Sequence, residues 1–219
     1  MPTVETTFVF ADIAGFTALT EAHGDEQAAA LVSDFCRAVA AELPAGATQV
    51  KTIGDALMLA VPEPADAVLL GLRISHELML GHGAPAVRVG LHHGPAVEQD
   101  GDYFGASVNL AARVAAEAGG GEVLVTGTTA AKAPELEGVV YEPRGRRELR
   151  NVREPVDLFA AVRAGQTQGA LQRDPVCRMA VDPERAAGRL VYEDTAYFFC
   201  TLECAAQFAQ RPERFARPA

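Results

Sequence analysis

The spacing of apolar residues changes period several times along the chain, and each change marks an element. Phe8 to Ala11 are strand formers running into Asp12, and a small-residue turn through Ile13, Ala14 and Gly15 then enters a helical pattern at Phe16 and Thr17. Asp25 is placed to cap a helix whose apolar residues Ala28, Leu31, Val32, Phe35, Val39 and Leu43 follow helical spacing; Pro44 and Gly46 end it. Thr48 to Ile53 and Ala56 to Val61 predict two strands joined by a tight hairpin at Gly54-Asp55. Val68, Leu69, Leu72, Leu78 and Met79 mark a second amphipathic helix. From Ala86 to Val97 the chain alternates, with Val87, Val89 and Leu91 on one side and Arg88, Gly90 and His92 on the other, as in a half-buried antiparallel strand. A polar turn, Gln99 to Asp102, leads through Phe104-Gly105 to a helix carrying Val108, Leu110, Ala111 and Val114; Glu122 to Thr126 and Val156 to Val162 add strands. This order predicts an α+β fold, a ferredoxin-like βαββαβ unit with helices on one face of a mainly antiparallel sheet.

From Arg163 to Arg173 the pattern gives way to a polar join containing Ala164, Gly165, Gln166, Thr167, Gln168 and Gly169. The expected organisation is a first domain over 1–163, a linker over 164–173 and a small unit over 174–219. So short a unit rarely holds its own core, so a metal, or docking on the first domain, is expected to help.

Composition narrows the function classes. The net charge of −10 disfavours nucleic-acid binding, and the one basic cluster, Arg144, Arg146, Arg147, Arg150 and Arg153, is local enough for a small anion. Pro2 to Thr7 is polar and unlike a signal peptide, and the apolar segments near Val68 and Val123 are too short and too charged to cross a membrane. With no secretory signal, the four cysteines point to a reducing compartment, with cytoplasm expected, and to thiols or metal ligands instead of disulfides.

Asp12 ends a strand before a turn with unpaired amides, which suits a metal-bound polyphosphate. If the first strand neighbours the hairpin, Asp55 joins it, and two aspartates with the Ile13 carbonyl can hold two Mg²⁺ or Mn²⁺ ions. Singly, the two read as a helix cap and a turn residue. Asn109 and Arg113, four apart, share one helix face. His92 and His93 are expected to be structural, one facing the core and one the solvent, and Cys36 to be a core residue.

FADIAGFT, VKTIGDALM and DYFGASVNLAARV, in that order, resemble the class III adenylate and guanylate cyclase catalytic domain over about residues 6–162. The resemblance implies that Asp12 and Asp55 bind two Mg²⁺ or Mn²⁺ ions, that the Ile13, Ala14, Gly15, Phe16 and Thr17 turn receives the substrate, that Asn109 orients the ribose, and that Arg113 meets phosphate charge. Lys51 and Asp102 fall where the family selects adenine; one donor and one acceptor match its N1 and 6-amino group, so ATP is the expected substrate. Arg150, in LRNVREPV, stands where the family usually has a triphosphate-clamping lysine; its geometry differs, and lowered activity is expected. The resemblance further implies a head-to-tail homodimer with composite sites, forming 3′,5′-cyclic AMP and pyrophosphate.

DPVCRMAVDPE, YFFCTLEC and RPERF resemble a YHS-type domain, a small module associated with metal binding, over about residues 174–215. Cys177, Cys200 and Cys204, with Met179, would suit a soft ion such as Cu(I), whereas a closed zinc site needs a fourth strong ligand that the sequence does not name. Tyr192, Tyr197, Phe198, Phe199, Phe208 and Phe215 read as this unit's core. Two alternatives stay open: a degenerate cyclase that binds nucleotide without catalysis, and a metal- or redox-sensing protein.

Overall fold

A computed structural model describes residues 2–78, 86–165, 172–177 and 180–216; Met79, Met179 and the middle of the expected linker lie outside the described residues. The first unit is built on one sheet ordered β2 (Thr48–Ile53), β3 (Ala56–Val61), β1 (Thr3–Ile13), β4 (Val87–Gln99), β6 (Val123–Thr126), β8 (Val156–Arg163) and β7 (Val139–Arg147), with β5 (Asp102–Phe104) folded back on β4. Among the described residues, β4 and β6 are the one parallel pair. The sheet is therefore mainly antiparallel, as expected.

Between the strands lie α1 (Phe16–His23), α2 (Asp25–Ala41), α3 (Pro64–His76), α4 (Ala106–Glu117) and α5 (Gly127–Lys132). Gly24, at φ 85° and ψ 163°, separates α1 from α2. This corrects the expected cap at Asp25, which is instead the first helical residue, its charge favourable beside the helix N-terminus. The strands β5 and β7 and the short α5 were not anticipated.

Helices cover both faces of the sheet, not one. Val9, Ala11 and Ile13 of β1, with Leu57, Leu59, Val89 and Leu91, pack beneath Phe35 and Val39 of α2 and Val68 and Leu72 of α3. On the opposite face Phe8, Phe10, Met58 and Ala60 pack beneath Ala111 and Ala115 of α4. The physical reason is that β1 and β3 are apolar at successive positions, so both of their faces must leave water. The helix α4 crosses β4 at Gly90, where an added Cβ would lie 2.0 Å from the Ala115 amide nitrogen. Only glycine permits that approach.

The C-terminal unit pairs β9 (Gln172–Arg173) with β10 (Ala180–Val181) and β11 (Gly188–Tyr192) with β12 (Thr195–Phe199), followed by α6 (Leu202–Gln210) and α7 (Pro212–Phe215). Glu193 and Asp194, at φ 47° and 59°, make the tight turn between β11 and β12. Rings of Tyr192, Tyr197, Phe199 and Phe215 surround Phe208. Cys177, Val181, Phe199, Cys200, Cys204 and Phe208 form one buried cluster with Leu19 of α1 and Ala28 of α2. The small unit thus completes its core on the larger one, the help that its length calls for.

Candidate active site and cysteine cluster

The β1–β3 register sets Asp12 opposite Ala56, and the two-residue turn Gly54-Asp55 places Asp55 immediately beside it. The Asp55 carboxyl is pushed up to about 6, by burial first and then by the neighbouring Asp12 carboxyl. Arg88, directly across β4 from Asp12, donates from Nε to Asp12 Oδ2 at 2.6 Å and pairs with the same oxygen through a terminal nitrogen. Two carboxyls crowded side by side, one of them held against ionisation, form a donor set that a divalent cation would relieve, so Asp12 and Asp55 fit such an ion. Just beyond, Gly15 adopts the left-handed conformation at φ 85° and starts α1 without a side-chain cap. The Phe16 and Thr17 amides consequently have no helical acceptor.

Lys51 of β2 and Asp102 of β5 meet on this unit: Lys51 Nζ donates to Asp102 Oδ1 at 2.8 Å and to Oδ2 at 2.6 Å. The lysine bond, followed by one from the Tyr103 amide, holds the Asp102 carboxyl below its ordinary value. Lys51 also sits 5.9 Å from the centroid of the Phe104 ring, and that ring is half exposed.

Other expected site residues stand apart. Asn109 and Arg113 lie on the exposed side of α4, whose sheet side is formed by Ser107, Ala111, Val114 and Ala115. Arg150 is exposed in the turn after β7, next to Asn151 at φ 63°. Neither arginine has an ion-pair partner among the described residues. Arg144, by contrast, is engaged by Glu122 and Glu142.

His92 is half-buried against Thr126, and buried His93 contacts Thr7 and Glu5. Neither faces open solvent, which corrects the expected core-and-solvent split. The strand's polar side here is roofed by neighbouring elements. Burial pushes His92 down to about 4 and lowers His93 as well. Burial thus favours the neutral form of both rings. Cys36 packs only partly buried against the main core.

The three C-terminal cysteines are buried and converge: Cys177 Sγ and Cys200 Sγ lie 3.2 Å apart, and Cys200 Sγ and Cys204 Sγ 3.7 Å. Asp174, fully buried, ties their backbones together; Oδ1 accepts from the Val176 and Cys177 amides and Oδ2 from the Cys200 amide. Thr201 caps α6 and accepts from the Cys204 amide. Hydrogen bonds from Cys177 and Cys200 draw the Cys204 thiol far below the ordinary range, while bonds with Cys177 and Cys204, then burial, push Cys200 up. His23, the last residue of α1, brings Nε2 to 3.7 Å from Cys204 Sγ. Sequence reasoning missed His23, Arg88 and Asp174. Opposite charge at paired positions could have flagged Arg88, but only once the register was known.

Residues 2–160 match the family model of the adenylate and guanylate cyclase catalytic domain, and residues 172–219 match that of the YHS domain. The pH-sensitive adenylate cyclase MT1302 of Mycobacterium tuberculosis is 37% identical over 178 residues, covering 78% of this chain and 44% of that protein. An adenylate cyclase of Streptomyces griseus is 37% identical over 141 residues, covering 61% of this chain and 35% of that protein. The chain thus spans less than half the length of these relatives. Among solved structures, the adenylyl cyclase CyaB from P. aeruginosa aligns at a TM-score of 0.65 and 23% identity, over 77% of this chain and 100% of that one. The guanylate cyclase domain of RhGC from Catenaria anguillulae, in complex with GTP, aligns at 0.65 and 21%, over 74% and 99%. Because adenylyl and guanylate cyclases share this fold, the fold leaves the base undecided.

Proposed function

The chain belongs to the adenylate and guanylate cyclase catalytic-domain family, and from that premise we propose that it converts ATP to 3′,5′-cyclic AMP and pyrophosphate at two composite sites of a head-to-tail homodimer. The strand register that sets Asp55 beside Asp12 carries this proposal. Two Mg²⁺ or Mn²⁺ ions, held by these carboxylates and the Ile13 carbonyl, would offset triphosphate charge and make the ribose 3′-hydroxyl more acidic.

This chain's own residues then bind and orient the nucleotide. Amides of Gly15 to Thr17 face the phosphates, the Ala14 amide being bonded to the Ala86 carbonyl at 2.8 Å, and Arg150 adds a cation at the far end. Lys51 donates to adenine N1 and Asp102 accepts from the 6-amino group, so their mutual ion pair opens to admit the base. Guanine would set its N1 proton against the ammonium and its carbonyl against the carboxylate. Exposure of Asn109 and Arg113 on α4 supports their serving the site of a second copy, where Asn109 orients the ribose and Arg113 meets charge growing on the phosphates. The 3′-oxygen attacks the α-phosphorus, the bond to the bridging oxygen breaks, pyrophosphate leaves, and the hydroxyl proton passes to solvent. Catalysis is mainly positioning and charge stabilisation.

No helix among the described residues is long and apolar enough to cross a membrane, and the buried thiols suit the reducing cytoplasm, the compartment we propose. The test is to incubate purified protein with ATP or GTP and Mn²⁺ or Mg²⁺ and to measure cyclic nucleotide against an Asp12→Ala control. Cyclic AMP from the wild type alone is expected. No product above the control, at high protein concentration, would remove the enzyme.

A further inference from the structure

His23 belongs to the cyclase domain, yet one of its ring nitrogens and the sulfurs of Cys177, Cys200 and Cys204 all lie within 4.8 Å of one another. The cysteines are at most 1% exposed and the His23 side chain 8%. A tetrahedral Zn²⁺ ion with the usual bond lengths separates two sulfurs by about 3.8 Å and a sulfur from a nitrogen by about 3.6 Å. Two of the spacings here, Cys200 to Cys204 and Cys204 to His23, are both 3.7 Å. The Cys177 to Cys200 spacing of 3.2 Å is well beyond a disulfide's length of about 2.05 Å. His23 turns its other nitrogen, Nδ1, toward Glu203 at 3.8 Å. At that distance the exposed Glu203 carboxylate lies beyond hydrogen-bond reach and acts on the ring only as a nearby negative charge.

We propose that His23, Cys177, Cys200 and Cys204 form one closed four-coordinate site for a thiophilic divalent cation, Zn²⁺ foremost, and that filling it anchors α1 and the turn before it. Three thiolates and an imidazole are a donor set of closed zinc sites, and His23 is the strong fourth ligand that the cysteine motif lacks. The helix α1 has eight residues, about 12 Å of rise, with the cluster at its C-terminal end and the Ala14 to Thr17 turn at its N-terminal end. Phe16, its first residue, packs against both the main core and the cysteine-lined core. An ion drawing His23 toward the C-terminal unit therefore restrains the backbone that follows Asp12. That this alters catalysis rests on the cyclase activity proposed above; the metal site does not.

The test uses the whole 219-residue chain, reduced and freed of metal, titrated with Co²⁺ as a spectroscopic probe and then with Zn²⁺. One equivalent per chain is expected, with the visible bands of a tetrahedral sulfur-rich ion. His23→Ala should bind more than about tenfold more weakly and change the spectrum, since even an outer partner of a ligand has effects of that order. His23→Cys should restore one tight equivalent with an all-sulfur spectrum, which guards against misfolding as the cause. Identical affinity and spectrum in wild type and His23→Ala would overturn the site, as would no uptake by the reduced protein. So would a disulfide between Cys177 and Cys200 in place of the ion. For the coupling, Zn²⁺ should slow amide hydrogen exchange at Ala14 to Thr17 in wild type and not in His23→Ala; unchanged exchange in the wild type would refute it. Should no variant make cyclic nucleotide, the titration and the exchange still decide this proposal separately from the activity.

Discussion

Replacing Asp55 by asparagine should stabilise the metal-free protein while removing its function. Asp55 titrates at about 6 instead of 3.8, through burial and its contact with Asp12. The difference corresponds to about 3 kcal/mol if taken at full value, and to roughly 1–2 kcal/mol after allowing for the water that reaches this half-exposed carboxyl. The sign follows from where the proton sits: the folded state holds it more tightly than the unfolded state, so no cost exists below about pH 4. The cost develops as pH rises and is complete above about pH 6. An amide side chain cannot ionise, so Asp55→Asn should exceed wild type by about 1–2 kcal/mol near pH 8, or roughly 3–6 °C in melting temperature for a chain of this size. The gap should close toward about pH 4. Comparing variant with wild type at each pH cancels other titrating groups, His92 included. The assay is thermal or urea denaturation in chelator, repeated with millimolar Mn²⁺, which should stabilise wild type and leave the variant unchanged. An Asp55→Asn protein no more stable than wild type near pH 8 would refute the crowded carboxylate pair as the origin of the metal site.

Other substitutions probe separate links. Gly90→Ala puts a methyl 2.0 Å from the Ala115 amide nitrogen, which is backbone and cannot step aside; a loss of about 3 kcal/mol in urea denaturation is expected, and a loss under about 1 kcal/mol would mean that α4 does not lie so close. Lys51→Ala removes the proposed donor to adenine and the ion-pair partner of Asp102, so kcat/KM for ATP should fall about 100-fold with little change for GTP; an equal fall for both would show that Lys51 does not read the base. Arg150→Ala should raise KM for ATP and change stability by less than about 0.5 kcal/mol, the side chain being exposed; unaltered kinetics would remove it from the triphosphate.

The hairpin at Gly54-Asp55 and the β4 strand were legible because each is carried by local residues. What escaped was long-range. His23 lies 181 positions before Cys204, and no periodicity links a histidine ending one short helix to thiols in another unit. The strand β7 was missed because its sequence, VVYEPRGRR, alternates poorly at an edge of the sheet and is bulged between Pro143 and Gly145. Helices on both faces could have been read from Phe8 and Phe10 being as apolar as Val9 and Ala11, since a strand with one wet face would not be. Arg88 looked like an outward residue of an alternating strand until the register set it against Asp12.

The central claim is an ATP cyclase whose site needs two copies of the chain, and mixing two inactive variants tests it most directly. Asp12→Ala lacks the metal side and Arg113→Ala the phosphate side, so each alone should make almost no cyclic AMP. In an equal mixture half of the dimers are heterodimers with one intact site, so roughly a quarter of the wild-type rate should return. No recovery of cyclic AMP, in a mixture shown by mass to contain heterodimers, would contradict the composite site.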